Sequence, residues 1–436
     1  MKLSEKIIRV ALFALILLSL ILTYAIWLSP TSKIADVNTS KRAVKNDQNY
    51  AKATDAFLPI RGIWDLTDGK FQTSSENLLA TTQARLTEST YGQLQEVAEG
   101  EEIKNYYGLD HGIELNYEGE FSLTEYIKVF DMPIDLNSLK DSQKITFSKI
   151  QVDFSKKKIR FLNYSKNIVY EATISADFSG LETIYQKNQG KYLPMAEENP
   201  LIPRLSRTKD RVRLKKYSYI LTTQSYSLFR NAFFQNPDQA KGEEEAKGAR
   251  SFVSGHEELM MDEQKRLVTF NGELPEDLAK ESMYSQSFNY VSRLGTAVGN
   301  LRYFDHHDGQ VNYRIFVEGY PIFSQSSKGK ITVKIDHVPN NQTPQVKIET
   351  SMDTVQVPIP SDEEVELPST LEVENNLAAV GVNLDNIQSF IIGYTWQDID
   401  GVNKLVALTP EWFVKYDNTW YSANQLMQGN LETEAR

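Results

Sequence analysis

The sequence predicts an α+β protein hung from a single N-terminal transmembrane helix, and three observations predict it. Residues 10–28 form a run of 19 residues without a charge. At 1.5 Å per residue such a run reaches roughly 28 Å, close to the hydrocarbon thickness of a bilayer. Past residue 30 no second run is long enough to span again, and stretches of period-two alternation are interleaved with stretches of helical spacing. The composition supplies strand and core material, with 20 Phe and 22 Tyr. The expected architecture is one membrane helix followed by an extracytoplasmic, multidomain part of small antiparallel sheets with packed helices. The expected divisions are a cytoplasmic N-terminus (1–9), the transmembrane helix (10–28), a juxtamembrane linker (29–55), and α+β domains at 56–203, 204–338 and 339–436.

The apolar run exceeds the core of a cleaved secretory signal, which is on the order of 7–15 residues. Ile26, Trp27 and Leu28 extend it past the weak small-residue site at Thr23 and Ala25, and Tyr24 and Trp27 stand where an interfacial aromatic belt would be. Retention as an anchor is therefore expected. Basic residues flank both ends: Lys2, Lys6 and Arg9 before the run, and Lys33, Lys41, Arg42 and Lys45 after it. The charge rule is nearly tied, so orientation follows from the short basic N-terminus ahead of an apolar core. That order places the N-terminus inside and the bulk of the chain outside the cell membrane.

The soluble part reads as follows. Ile60, Trp64 and Leu66 precede Asp68-Gly69 and Phe71 follows, predicting a hairpin over 57–73. Thr73-Ser-Ser-Glu76 has capping-box spacing ahead of Leu78, Leu79, Thr82 and Leu86, and Ser122-Leu-Thr-Glu125 opens a second, short helix. Over 144–175 the buried positions shift from Ile145 and Phe147 to Ile150 and Val152, which predicts a meander with a bulge near Ser148. Prolines within 192–203 mark a boundary. Arg204, Arg207, Lys209, Arg211, Arg213, Lys215 and Lys216 face only Asp210 in the next run. That run is read as the charged edge of a strand entering residues 217–220, rather than as a binder of anionic polymer or headgroups. Helices are expected at 225–234 and 278–298, an exposed loop at 242–249, and strands at 259–270, 301–304, 311–317 and 320–323. The last segment repeats that order loosely, with strands at 346–348 and 355–359, a helix at 371–379, a strand at 387–396, and strands at 404–408 and 412–416 after an Asp400-Gly401 turn.

Composition and motifs exclude several function classes. The net charge is −11, and because the first 30 residues carry +2 the remainder carries −13, which disfavours nucleic acid as a partner. With no Cys there is no disulfide, thiolate site or cysteine nucleophile. Asp305-His306-His307-Asp308 is the best metal-like cluster, but adjacent histidines on a strand point to opposite faces, and Asp308-Gly309 predicts a hairpin tip. Asp398-Ile-Asp400-Gly401-Val-Asn403 lacks the downstream glutamate of a calcium loop. Ser155-Lys-Lys-Lys158 and Ser327-Lys-Gly-Lys330 match Ser-x-x-Lys without a companion Lys-Thr-Gly. No catalytic, cofactor or metal residues are assigned, and the chain is not expected to be an enzyme.

Four stretches carry a family resemblance: Thr23-Tyr-Ala-Ile-Trp27, Ser227-Leu-Phe-Arg-Asn-Ala-Phe-Phe234, Tyr313-Arg-Ile-Phe-Val-Glu-Gly-Tyr-Pro-Ile-Phe323 and Leu408-Thr-Pro-Glu-Trp-Phe-Val414. In their order and spacing the chain resembles the YycH (WalH) family of extracytoplasmic regulators of the WalK/WalR two-component system in low-GC Gram-positive bacteria. The resemblance implies a WalK-like sensor histidine kinase and a YycI-like membrane protein as partners, with control passing between membrane helices. Within the anchor, Ser19, Thr23 and Trp27 recur every four residues and share one helix face, where small and hydroxylated side chains favour close contact in lipid. These three are the expected transmembrane partner contacts. The alternative is an extracytoplasmic binding protein for a cell-wall fragment or peptide.

Overall fold

Alternation of apolar and polar residues builds the first sheet. The structure, a computed structural model, describes residues 50–137, 139–196, 205–244, 248–336, 343–359, 361–399 and 404–429, together with Leu15. β1 (Arg61–Leu66) and β2 (Gly69–Thr73) form the hairpin around Asp68-Gly69, and β3 (Thr90–Tyr91) and β4 (Gln95–Glu99) follow the helix Glu76–Thr87. β5 (Gly112–Ser122), β6 (Thr146–Asp153), β7 (Lys158–Asn163) and β8 (Ile168–Ser175) make the meander, and β9 (Leu193–Pro194) closes an edge. They pair in the order β3-β8-β7-β6-β5-β1-β2-β9, with β4 also on β8.

The two faces of this sheet differ. Trp64, Ile113, Leu115, Ile150, Val152, Ile159 and Phe161 pack against the helices Glu76–Thr87, Leu123–Phe130 and Phe178–Lys187. Trp64 Nε1 donates to the Leu181 carbonyl at 3.2 Å, so the indole is buried with its polar atom satisfied. The intervening residues form a second face that is polar yet buried, with Glu114, Asn116, Glu118, Lys149, Gln151 and Arg160. The β5–β6 register runs through Asn116↔Lys149 and then jumps to Phe121↔Phe147. The irregularity lies opposite Ser148 as its change of parity predicts, but the inserted residues are on β5, from Tyr117 to Glu120.

The second half supplies β10 (Val212–Lys215), β11 (Tyr217–Thr223), β12 (Lys241–Glu244), β13 (Ala249–Ser254), β14 (Glu257–Asp262), β15 (Leu267–Glu273), β16 (Leu301–His307) and β17 (Gln310–Val317). It continues with β18 (Tyr320–Phe323), β19 (Lys330–Asp336), β20 (Gln345–Ser351), β21 (Asp353–Ile359), β22 (Glu364–Leu367), β23 (Ile387–Asp398), β24 (Leu405–Tyr416) and β25 (Thr419–Ser422). Fourteen of these form one sheet along the path β12-β13-β14-β15-β20-β19-β17-β18-β23-β24-β11-β21, with β16 on β17 and β25 on β24. Pairing is antiparallel except between β18 and β23, and strands on either side of residue 338 pair at β15–β20, β11–β24 and β11–β21. The fold is thus α+β, with antiparallel sheets and packed helices. Among the described residues no helix is long and apolar enough to cross a membrane. Of residues 10–28 only Leu15 is described, so Ser19, Thr23 and Trp27 lie outside the described residues.

Local expectations are corrected at five places. The helix expected over 278–298 is only Met283–Ser292, because Ser282 caps it by accepting from the Ser285 amide, and Gly295 at positive φ turns the chain into a 3-10 segment. The expected loop at 242–249 contains the ends of β12 and β13. The two strands expected at 404–408 and 412–416 are one, since β24 pairs with β23 throughout, Pro410 included. Thr73 does not cap the first helix: Ser75 holds the cap position, and Thr73 Oγ1 accepts from the Ser75 amide. The basic run does not front solvent as an unpartnered edge. β10 pairs with β22, Arg211 and Arg213 bridge to Glu366, and Arg207 makes a buried ion pair with Glu374 at 2.7 Å. A charge run that stands out in the sequence is neutralised by an acidic run about 150 residues later.

Candidate functional site

The polar face of the first sheet meets the second sheet across a cleft. Arg61, Asn116 and Lys149 are direct cross-strand partners on β1, β5 and β6, so the pleat places them side by side on one face. Opposite them stand Ser389 of β23, Lys415 of β24 and the β16 tip at His306–Asp308, enclosing a cavity of about 410 Å3. An adjoining cavity of about 490 Å3 shares His306, His307, Asp308, Lys415 and Asn418.

The charges in the wall are largely paired within it. Lys149 Nζ donates to Glu114 at 2.8 Å, and Gln151 Nε2 donates to the other oxygen of the same carboxylate at 2.8 Å. Burial depresses the Lys149 pKa, but Glu114 outweighs it and holds the ammonium charged. Arg61 spans the cleft: Nη1 donates to the Phe390 carbonyl at 2.8 Å, while Nη2 reaches Ser389 Oγ at 3.3 Å and Glu118 at 3.1 Å. Glu120 has its pKa lowered overall, because burial, which raises it, is outweighed by hydrogen bonds from Ser165 and Thr146 and by Lys166. Four buried polar atoms on the cavity lining have no hydrogen-bond partner among the described residues: the donors Arg61 Nε and Asn116 Nδ2, the Tyr164 hydroxyl, and Glu118 Oε1, which is ion-paired with Arg61.

His306 lines both cavities. Tyr303 Oη and Tyr284 Oη both donate to the Glu120 carbonyl, which commits both hydroxyl protons. His306 Nδ1 lies 3.1 Å from Tyr303 Oη and 3.4 Å from Tyr284 Oη, so it shares a hydrogen-bonded cluster with the two hydroxyls. Burial lowers the His306 pKa below 6.5, against the opposing pull of Glu120 and Asp305 and with help from Lys415. A base whose pKa is lower folded than unfolded leaves the unfolded chain holding more protons in the window below 6.5, so stability rises with pH there. Urea midpoints should accordingly fall as pH drops from about 7 to about 5, and His306→Asn should flatten that slope. An unchanged slope in the variant would remove His306 from the pH response.

The cluster at 305–308 behaves as its spacing predicts. β16 ends at His307, Asp308 and Gly309 turn at positive φ, and the two histidines diverge. His306 points to the tyrosines, while exposed His307 pairs with Asp308 at 2.9 Å. Among the described residues no three His, Asp or Glu groups are placed to hold a metal ion. Asp398 accepts from Trp396 Nε1 and pairs with Lys328, and Asp400 to Asn403 lie outside the described residues. The sequence reading missed Arg61, Asn116 and Lys149. The available signal was that β5 alternates Ile113, Leu115 and Tyr117 with Glu114, Asn116 and Glu118, a pattern that ordinarily marks a solvent face.

The YycH protein C-terminal domain family matches residues 205–430, more than half of the chain. The chain belongs to the YycH family. A search of curated protein sequences gives no match. The crystal structure of YycH from Bacillus subtilis superposes with a TM-score of 0.65 at 15% sequence identity, covering 86% of this chain and 97% of that one. At that identity the likeness speaks for a shared fold. The YycH-type fold thus extends over both sheets, and the cleft lies between the matched C-terminal region and the sheet that precedes it.

Proposed function

We propose that this chain is a membrane-anchored accessory regulator of a WalK-like sensor histidine kinase, acting through transmembrane-helix contacts and together with a YycI-like partner. The observation that carries this reading is the match of residues 205–430 to the YycH C-terminal domain, since that family's general role is regulation of the WalK/WalR system. The sequence of residues 10–28 supports an anchor with the N-terminus inside and the sheets outside. Ser19, Thr23 and Trp27 form the contact face. Each interhelical hydrogen bond contributes only about 0.6 kcal/mol, yet a coupling of about 1–3 kcal/mol shifts a two-state sensor several-fold. The role needs no bond-making chemistry.

The test is the double variant Ser19→Leu with Thr23→Leu in intact cells. Crosslinking from the anchor to the kinase spans should drop several-fold, and kinase output should move toward that of a deletion strain. Unchanged crosslinking and signalling, or full function from a foreign tether of equal length, would overturn the reading.

A further inference from the structure

We infer that the cleft between the two sheets is a binding site for a small ligand bearing a single carboxylate, held by the donor row Arg61–Asn116 with Lys415 facing it. The inference goes beyond the anchor-based regulation proposed above and does not need it.

Four observations lead here. The first is the row itself: register makes Arg61 and Asn116 nearest cross-strand neighbours, so two donors sit side by side on rigid central strands. The second is their unspent capacity. Arg61 commits both terminal nitrogens to Phe390, Ser389 and Glu118, yet among the described residues its Nε is buried without an acceptor, and Asn116, only 5% exposed, likewise has none for its Nδ2. Native proteins rarely leave such donors buried, and both atoms belong to side chains that line the same cavity. The third is size and place. At about 410 Å3 the cavity falls within the roughly 300–1,000 Å3 of small-molecule sites, and it lies at the junction of two packed layers, where such sites concentrate.

The fourth observation selects the charge. Of the buried lining atoms without a hydrogen-bond partner among the described residues, Arg61 Nε and Asn116 Nδ2 only donate, Tyr164 Oη can donate, and the acceptor Glu118 Oε1 is already ion-paired with Arg61 at 3.1 Å, so the ligand must present acceptors. Lys415, whose Nζ makes one long contact of 3.4 Å to the Glu118 carbonyl, adds positive charge from the opposite wall. Glu118, Glu120 and Asp308 border the same cavity and would repel a second negative charge, which argues against phosphate. A flat carboxylate accepts two parallel N–H donors and carries one charge. A sugar lacking a carboxylate is a poorer fit, because the aromatic face of Tyr164 already lies under Lys149, with Nζ 5.5 Å from the ring centroid.

The experiment uses the full chain in lipid nanodiscs and N-acetyl-dialanine, its C-terminal amide and inorganic phosphate as calorimetric probes. The free carboxylate should bind saturably and at least tenfold tighter than the amide and than phosphate. Asn116→Asp should weaken it more than tenfold, and so should Lys415→Gln, which removes charge from a less buried position and keeps the inference testable where the buried variant fails to fold. Neither variant should alter anchor crosslinking, so failure here is distinguishable from failure of the regulatory reading. Absence of saturable binding, equal binding of acid and amide, tighter phosphate binding, or indifference to Lys415→Gln would overturn it.

Discussion

Arg302→Ala should destabilise the fold by roughly 3–5 kcal/mol, the range found when one partner of a buried charged network is removed. Arg302 is 1% exposed. From β16 its Nη2 donates to the carbonyls of Leu58 and Pro59 at 3.1 and 2.6 Å, and Nη1 reaches Glu76 at 3.4 Å. Its guanidinium also lies over the Phe316 ring, 4.5 Å from the centroid. One side chain thus ties the second sheet to the segment entering the first and to the start of the helix Glu76–Thr87. Burial lowers its pKa, with Glu76 opposing, and its cross-strand partner is a second buried cation, Arg314, stacked between Phe304 and Phe323. The carbonyls of Leu58 and Pro59 are the counterweight to that like-charge pair, and alanine leaves them without this donor. Urea titration followed by tryptophan fluorescence reads the loss. Arg302→Met is the decisive control, since it keeps volume and removes only donors and charge. A methionine variant as stable as the parent would show that the guanidinium is dispensable.

Arg302 also marks where sequence reading succeeds and where it stops. Element type was legible wherever one face is buried and the other is not: the meander of β6 to β8, the turns at Asp68-Gly69 and Asp308-Gly309, the cap at Ser122 and the strands around Tyr313 all follow from local spacing. Ser122 accepts from the Glu125 amide as its capping box predicts, but the Glu125 carboxylate accepts instead from Ser282 and Ser285. Three kinds of feature were not legible. Helix ends set by caps and positive φ shifted the boundaries near Ser282 and Gly295. Neutralisation over long sequence distance turned the basic run into a ladder against Glu366, Glu372 and Glu374. The cleft wall was hidden because a polar alternate face reads as solvent-facing, whereas the second sheet covers it over β5 and residues 100–107 cover it at Gln151 and Arg160. The signal for that burial is tertiary, held in residues such as Gly119 and Arg302 that look unremarkable along the chain.

Gly119→Ala should therefore act far beyond its size. A Cβ on Gly119 would lie 2.6 Å from Asp305 Cα, 2.8 Å from Tyr303 Oη and 2.9 Å from Asp305 Cβ. Two of those atoms sit on or next to the β16 backbone, which cannot rotate away, so either the β5 bulge or the strand must move. Gly319 repeats the device: at φ +84° in the β17–β18 turn, its Cβ would meet the Ser74 carbonyl oxygen at 2.0 Å. Overpacking of this kind costs about 1–3 kcal/mol, occasionally more. The expected signature at Gly119 is specific. Displacing β16 breaks the bond from Tyr303 to the Glu120 carbonyl and loosens the ring cluster of Phe57, Phe121 and Tyr303, while a shift of the β5 bulge breaks the bond from Tyr284, on the helix Met283–Ser292, to the same carbonyl. Hydrogen exchange should accelerate in β5 and β16 together while the meander of β7 and β8 stays protected. If exchange instead rises uniformly, or only in β5, the two sheets do not depend on this contact. Because the cleft walls are β1, β5 and β6 on one side and β16, β23 and β24 on the other, the same displacement must widen it. Gly119→Ala should then weaken carboxylate binding without touching a single donor, linking the packing of the two sheets directly to the geometry of the site.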